Sequence, residues 1–276
     1  MRSAFPSCIK FSCIVISRLI FPVDIQLVPM PSLTIIIVGA GIAGLTAAIA
    51  LRQQGHDVVL LEKSTFNQEI GAAIHVSPNC TRLLQRLGLD TAMHGGNRFV
   101  GMSLYDGAGT LKVRMDLSGL LQEYNSPFDL IHRADLHNAL KQLAADETAP
   151  GPVPRLLLGC RIAHIDPSQA SVSLDDGSTF KGDLIVGADG AHSVCRSRID
   201  PSVHAVPSGK SCYRFLVQRA DLLADEQTAP LVDAPGWMKE FSDGARRLVL
   251  YPCRKNTTMN VAAFVPDSEI LPTYEG

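Results

Sequence analysis

Apolar positions cluster along the chain in short runs whose spacing changes from stretch to stretch, and that spacing predicts the elements. Leu33 to Val38 is a run rich in isoleucine, and "DVVLLE" (57–62) is a second one, both of strand length. Between them "GAGIAG" is followed by "LTAAIALRQQ", a helix-forming stretch closed by Gly55. This is a strand-helix-strand unit, so the two strands are expected to be parallel with a right-handed crossover. "SPNCTRLLQRLG" predicts a second helix, with Ser77 as N-cap, Pro78 at the first helical position, Leu83, Leu84 and Leu87 on one side and Gly88 as stop. "FVGMSLYDGAGTLKVRM" alternates on both sides of Asp106-Gly107 and predicts a hairpin. "RADLHNALKQLA" returns to helical spacing through Leu136, Leu140 and Leu143 and ends at "APGPVP".

"GDLIVGADGAHSVCR" (182–196) predicts a buried strand that stops at Asp189-Gly190 and gives way to a polar segment ending in arginine. Beyond Arg198 the pattern becomes strand-like throughout: "SCYRFLVQ", "WMKEF", "RRLVLYP" and "TTMNVAAFV", separated by turn residues. The expected fold class is α/β: a Rossmann-like dinucleotide-binding domain with a parallel sheet, interleaved with a mostly antiparallel second domain. The boundaries assign 31–95 and 128–198 to the first, and 96–127 and 199–276 to the second. The cavity between them is the expected site.

With 46% hydrophobic and 19% charged residues in 276, the chain is globular. A formal net charge of −2, with no run of Lys or Arg, excludes the electrostatic footprint of nucleic-acid binding. The seven cysteines show no metal-ligand spacing and are read as reduced structural thiols. Residues 1–30 stand apart. Lys10 and Arg18 interrupt their apolar stretch, so no membrane span is expected. The absence of acids before Asp24 leaves open a secretory or mitochondrial targeting segment, against a plain extension or a start set ahead of Met30. The expected compartment is the cytoplasm.

Gly39, Gly41 and Gly44 follow a strand and open a helix, as a dinucleotide fingerprint requires. The first permits the tight turn, the second lets a pyrophosphate approach the backbone, and the third lets helix and strand pack closely. Glu62, 23 residues after Gly39 at the end of the second strand, suits the ribose hydroxyls of an adenosine and would repel a 2′-phosphate. These features leave FAD and NAD both open.

"DLIVGADGAHSVCR" resembles the Asp-Gly motif of the FAD-dependent aromatic-ring monooxygenases, the family of salicylate hydroxylase and para-hydroxybenzoate hydroxylase. The glycine fingerprint, Glu62, "EIGAAIHVSPNCTRLLQRLG", "HRADLHNAL" and "YPCRKNTTMNVA" extend the resemblance in order. It implies FAD as cofactor, NADH or NADPH as electron donor, and oxygen transfer from O2, through a flavin C4a-hydroperoxide, to an aromatic or other electron-rich small molecule. It implies that Gly39, Gly41, Gly44 and Glu62 hold the ADP half of FAD, and that Ala72 and Ala73 pass the cofactor by backbone. By the same resemblance Arg133 reaches its phosphates or ribose, Asp189 and Gly190 lie beside it, and Arg196 aids the nicotinamide donor. Against these roles stand a solvated Arg133, an Arg196 in a surface ion pair, and His75, His132 and His192 as structural residues. Tyr213-Arg214 lines the substrate cavity or is a half-exposed strand pair, with Arg214 as candidate catalytic residue.

The family also carries a second Gly-Asp motif, usually followed by Ala-Ala-His, whereas the Gly-Asp pair here is Gly182-Asp183. The expectation is a chain without the C-terminal part, binding FAD weakly or not at all and hydroxylating nothing by itself. The rival readings are an NAD-dependent dehydrogenase on the same fold and an inactive flavoprotein fragment.

Overall fold

The computed structural model describes residues 31–65 and 71–270. The extension before Met30 and the "EI" of "EIGAAIHVSPN" lie outside them. The first unit is β1 (Thr34–Val38), α1 (Ile42–Gln53) and β2 (Asp57–Glu62), with Gly55 in the left-handed region (φ 85°) behind the helix. β3 (Ala73–Val76) and α2 (Pro78–Arg86) follow, then β4 (Asn97–Arg98) and the hairpin β5 (Gly101–Asp106) and β6 (Leu111–Asp116). That hairpin turns as Asp106-Gly107 predicts, because Asp106 Oδ1 accepts the N–H groups of Ala108 and Thr110.

A short α3 (Leu120–Tyr124) leads to β7 (Asp129–His132) and α4 (Arg133–Ala145). β8 (Arg155–Leu158), β9 (Ile162–Asp166), β10 (Ser171–Leu174), β11 (Thr179–Lys181) and β12 (Leu184–Gly187) come next, then α5 (Val194–Ile199). The last third holds β13 (Lys210–Gln218), α6 (Arg219–Ala224), β14 (Trp237–Ser242), β15 (Arg247–Cys253) and β16 (Thr258–Pro266).

The central sheet is parallel, in the order β12-β1-β2-β8. The inner strands β1 and β2 bury both faces, which is why they read as continuous apolar runs, whereas the flanking β8 and β12 are partly exposed, so the strand before Asp189 is less buried than its apolar run predicts. Ile35 and Ile37 face α1 and α4, packing with Leu45, Ile49, Leu136 and Leu140. Ile36 and Val38 point the other way, onto Ile165, Val172 and Leu174 of the antiparallel sheet β11-β10-β9. Each such side chain, fully buried, stabilises by roughly 1.5–3 kcal/mol.

The second large sheet has the order β13-β16-β15-β14-β5-β6 and is antiparallel except for the parallel join of β14 to β5. It therefore draws on residues 101–116 and on residues 210–266. The small sheet β3-β7-β4 lies against it through Ala73, Phe99, Leu130, Tyr251 and Ala262.

Candidate nucleotide site

The glycine loop forms between the end of β1 and the start of α1. Gly39 is left-handed (φ 99°), and a Cβ on it would stand 2.5 Å from Ala188 O. A Cβ on Gly44 would stand 1.9 Å from Gly39 O, so helix and loop touch backbone to backbone. Gly41 differs. It is the N-cap of α1, with φ −71° and ψ −173°, and nothing lies within 4 Å of where its Cβ would be. The open space above Gly41, at a helix N-terminus whose first amides lack intrahelical partners, suits the pyrophosphate of a dinucleotide.

Around that opening the carboxyl ends of β1, β2 and β12 and the β8–β9 connection enclose a cleft of about 400 Å³. Gly39, Gly41, Glu62, Asp189 and Gly190 line it together. Also in its wall are Lys63, Cys160, Arg161, Ile162, Asp175 and His192, which sequence reasoning did not assign to a site. Lys63 and Cys160–Ile162 adjoin Glu62 and offered no signal beyond following the two strands. His192 belongs to the Asp-Gly segment, where the sequence gives it no ligand-like companion.

Both carboxylates of the cleft are engaged with the backbone. Glu62 Oε2 accepts the N–H of Ala40 at 2.8 Å and Oε1 that of Ser64 at 2.7 Å, so the acid fixes the glycine loop to the end of β2. Its remaining lone pairs are left for a ligand. Asp189 Oδ1 accepts the hydroxyl of Ser193 at 2.6 Å, and Oδ2 accepts the N–H groups of Val194 (2.7 Å) and Cys195 (3.1 Å). It thereby caps the start of α5. Burial pushes the Asp189 carboxyl up, but these hydrogen bonds outweigh it and hold the pKa below the ordinary value. The Cys195 thiol beside it is pushed up to about 12 by burial and by the Asp189 charge. The five described cysteines are all unpaired.

Arg133 is the first residue of α4, half-buried, and outside the cleft wall proper. Four residues on, and so on the same helix face, His137 brings Nε2 to 2.8 Å from Ala40 O of the glycine loop. That i, i+4 pair was the available signal for His137. Ala72 O accepts the N–H of Arg133 at 2.9 Å. Ala73 is buried, its N–H donated to Asn260 Oδ1 (3.1 Å) and its carbonyl taking the Tyr251 hydroxyl (2.5 Å). Arg196 donates its backbone N–H to Ser193 Oγ at 2.8 Å, and its buried Nε has no partner among the described residues.

Arg214 lies far along the chain on β13, exposed, with Nε 3.2 Å from Cys212 Sγ. Its charge acts on Tyr251, whose pKa burial nevertheless pushes up to about 12. Tyr251 in turn stacks edge-on against His75 at 4.6 Å. Packing of the His75 ring lowers its pKa. The Gly182-Asp183 pair sits at the opposite, amino end of the sheet, where Asp183 Oδ2 accepts the N–H of Thr34 at 2.8 Å.

The FAD binding domain family matches residues 32–243 of this chain. Among curated proteins, hispidin-3-hydroxylase of Neonothopanus nambi is 35% identical over 250 residues, covering 86% of this chain and 59% of that protein. The 3-amino-4-hydroxybenzoate 2-monooxygenase of Streptomyces cremeus is 37% identical over 170 residues, covering 60% of this chain and 41% of its own length. Among solved structures, Klebsiella pneumoniae HpxO complexed with FAD and uric acid superposes with a TM-score of 0.69 at 26% identity, over 87% of this chain and 58% of that one. The tetrameric form of 2-methyl-3-hydroxypyridine-5-carboxylic acid oxygenase shares the fold, with a TM-score of 0.69 at 24% identity over 87% of this chain and 60% of that one. The chain thus spans less than two thirds of the length of each relative. No described helix is long and apolar enough to cross a membrane.

Proposed function

This chain belongs to the FAD binding domain family, and from that premise we propose that its cleft holds the ADP half of FAD within an aromatic-ring monooxygenase. The observation that carries the reading is the meeting, in one cleft, of the open N-cap Gly41 with Glu62 and the Asp189-Gly190 corner. In this reading Gly39, Gly41 and Gly44 shape the pyrophosphate nest, and Glu62 accepts ribose hydroxyls on the lone pairs left by Ala40 and Ser64. Arg133 reaches the phosphates from the first turn of α4, beside the Ala72 backbone and the neighbouring Ala73. Asp189 holds the corner at Gly190 in shape, and Arg196 serves the electron donor. When bound, FAD supplies the redox chemistry, accepting a hydride from NADH or NADPH and activating O2 for transfer to an aromatic or other electron-rich small molecule.

In this reading the labour divides along the chain. Residues 31–95 and 128–198 form the cofactor part, and 96–127 with 199–276 the substrate part. Arg214, on the sheet face that also carries Tyr251, orients an electron-rich ring by its charge. The test is titration of FAD into the purified protein, with ADP as competitor. Glu62→Ala weakens both ligands by roughly 1–3 kcal/mol, the scale of a charged hydrogen bond. It also lowers stability, because Ala40 and Ser64 lose their acceptor. FAD binding that ADP does not displace, or that Glu62→Ala leaves untouched, would overturn the assignment.

A further inference from the structure

The turn joining β15 to β16 holds three successive non-glycine residues in the left-handed region: Arg254 (φ 50°), Lys255 (φ 55°) and Asn256 (φ 64°). Asparagine tolerates that conformation, but arginine and lysine adopt it rarely, and a run of three persists only where the surroundings fix it. Within the turn Thr257 donates its N–H (3.2 Å) and hydroxyl (2.7 Å) to Arg254 O, and further support comes from outside the hairpin. Lys255 donates its N–H to Gly95 O at 3.2 Å, and Asn256 Oδ1 accepts the N–H of Gly236 at 2.8 Å. Arg254 reaches across to the first turn of α4, where it meets Asp135 as a two-pronged pair, Nε to Oδ2 at 2.9 Å and Nη2 to Oδ1 at 3.0 Å. The pair raises the Arg254 pKa, so the guanidinium stays charged.

The same Nη2 lies 3.3 Å from Nδ1 of His132, the buried residue that ends β7 and caps α4. The other ring nitrogen, Nε2, lies 3.0 Å from Gly71 O. A carbonyl accepts, so Nε2 donates to Gly71 O, while Nδ1 faces both the Arg254 guanidinium and, at 3.6 Å, Asp135 Oδ1. Gly71 itself packs on the helix start: a Cβ there would stand 3.3 Å from Ala134 N and 3.4 Å from Arg133 Cβ. The chain from Arg254 through His132 to Gly71 therefore joins the large antiparallel sheet to the segment that precedes β3. Between His132 and Asp135 sits Arg133, whose helix face is the one that His137 presents to Ala40. The first turn of α4 thus carries two faces, one tied to the β15–β16 turn and one turned to the glycine loop.

We propose that Asp135 and Arg254 are positioning residues, a latch that fixes the first turn of α4 and Gly71–Ala72 and so aims Arg133 at the cofactor phosphates. This rests on the reading of Arg133 given above. Neither latch residue lines the cleft, so the effect on ligand is indirect.

The experiment has two arms. In the ligand-free protein, hydrogen exchange is followed at the Arg133 amide and across 71–76. Arg254→Gln should speed exchange there by about tenfold, the scale of one lost charged hydrogen bond, while exchange in α1 is unchanged. In the second arm FAD and ADP are titrated into Arg133→Ala, Arg254→Gln and the double variant, with thermal melting as the folding control. Each single variant should weaken binding by about tenfold. The double variant should bind within about twofold of Arg133→Ala, because a latch that acts through Arg133 has nothing left to aim. Arg254→Lys, which keeps the charge and one bond to Asp135, should fall between wild type and Arg254→Gln.

Loss of affinity in Arg133→Ala with none in Arg254→Gln refutes the latch and leaves Arg133 as a ligand contact. No loss in Arg133→Ala refutes the Arg133 reading and the latch with it. Losses that add in the double variant, or unchanged exchange at Arg133, show that Arg254 does not act through α4.

Discussion

Gly41→Asp separates the fold from the site. The N-cap backbone at Gly41 (φ −71°, ψ −173°) is one that any residue adopts, and no atom lies within 4 Å of the new Cβ. Aspartate is among the best N-cap residues, and its charge suits the helix dipole, so stability should rise by a few tenths to about 1 kcal/mol. For a domain of this size that is an increase of about 1–3 °C in melting temperature. Ligand binding responds in the opposite sense. A pyrophosphate over Gly41 would meet the new carboxylate at about 4 Å, where one pair of like charges costs about 4 kcal/mol at an effective dielectric constant of about 20. Halving that for the solvated mouth of the cleft leaves about 2 kcal/mol, or roughly thirtyfold weaker binding, before the side-chain volume adds its share. Thermal melting and quenching of FAD fluorescence, each at low and high salt, give both numbers. Unchanged affinity would mean that no phosphate sits over Gly41, and a melting temperature lower by more than about 5 °C would mean that the loop is not open there.

Two further predictions concern groups that hold the scaffold. Arg52 is fully buried, and its guanidinium donates to the carbonyls of Ala144, Asp146, Ala149 and Gly151 at 2.8–3.1 Å, closing the end of α4. Arg52→Met keeps most of the volume and loses all four bonds, so urea unfolding should show a loss of about 3 kcal/mol or more, and a loss under about 1 kcal/mol would refute this role. For Asp189 the folded pKa lies below the unfolded value of about 3.9, so its contribution is complete above that pH and is lost as pH falls through the folded pKa. The stability difference between wild type and Asp189→Ala should be constant from about pH 5 to 7 and shrink only in stronger acid, and a difference that changed near pH 6 would point to another group.

The elements that the chain reveals on its own are those whose determinants lie close together. β1, β2 and α1 follow from unbroken apolar runs and three glycines within a few residues. The β5–β6 turn follows from an aspartate that bonds to amides two and four residues ahead. The join of β5 to β14 has no such local signature. It depends on Gly101 lying beneath Trp237, where a Cβ would stand 2.6 Å from the indole, and this pair is separated by about half of the chain. The Arg254–Asp135 bond is equally distant, and neither residue looks unusual in its own segment.

Composition and spacing place Glu62 and Asp189 at strand ends, but they do not say what each carboxylate does there. An acid at such a position is read naturally as a ligand contact, since ligands of open sheets collect at that edge. In the folded chain each has its backbone partners before any ligand arrives: Glu62 on the glycine loop, Asp189 on the start of α5. Such an arrangement lowers the cost of binding, because the amides that would hold the phosphates are set beforehand. It also means that removing either acid alters the shape of the cleft as well as its charge. A loss of affinity in Glu62→Ala therefore counts as a ribose contact only where it exceeds the loss for a nucleotide lacking the 2′- and 3′-hydroxyls, whereas a purely architectural Glu62 weakens both nucleotides by the same factor.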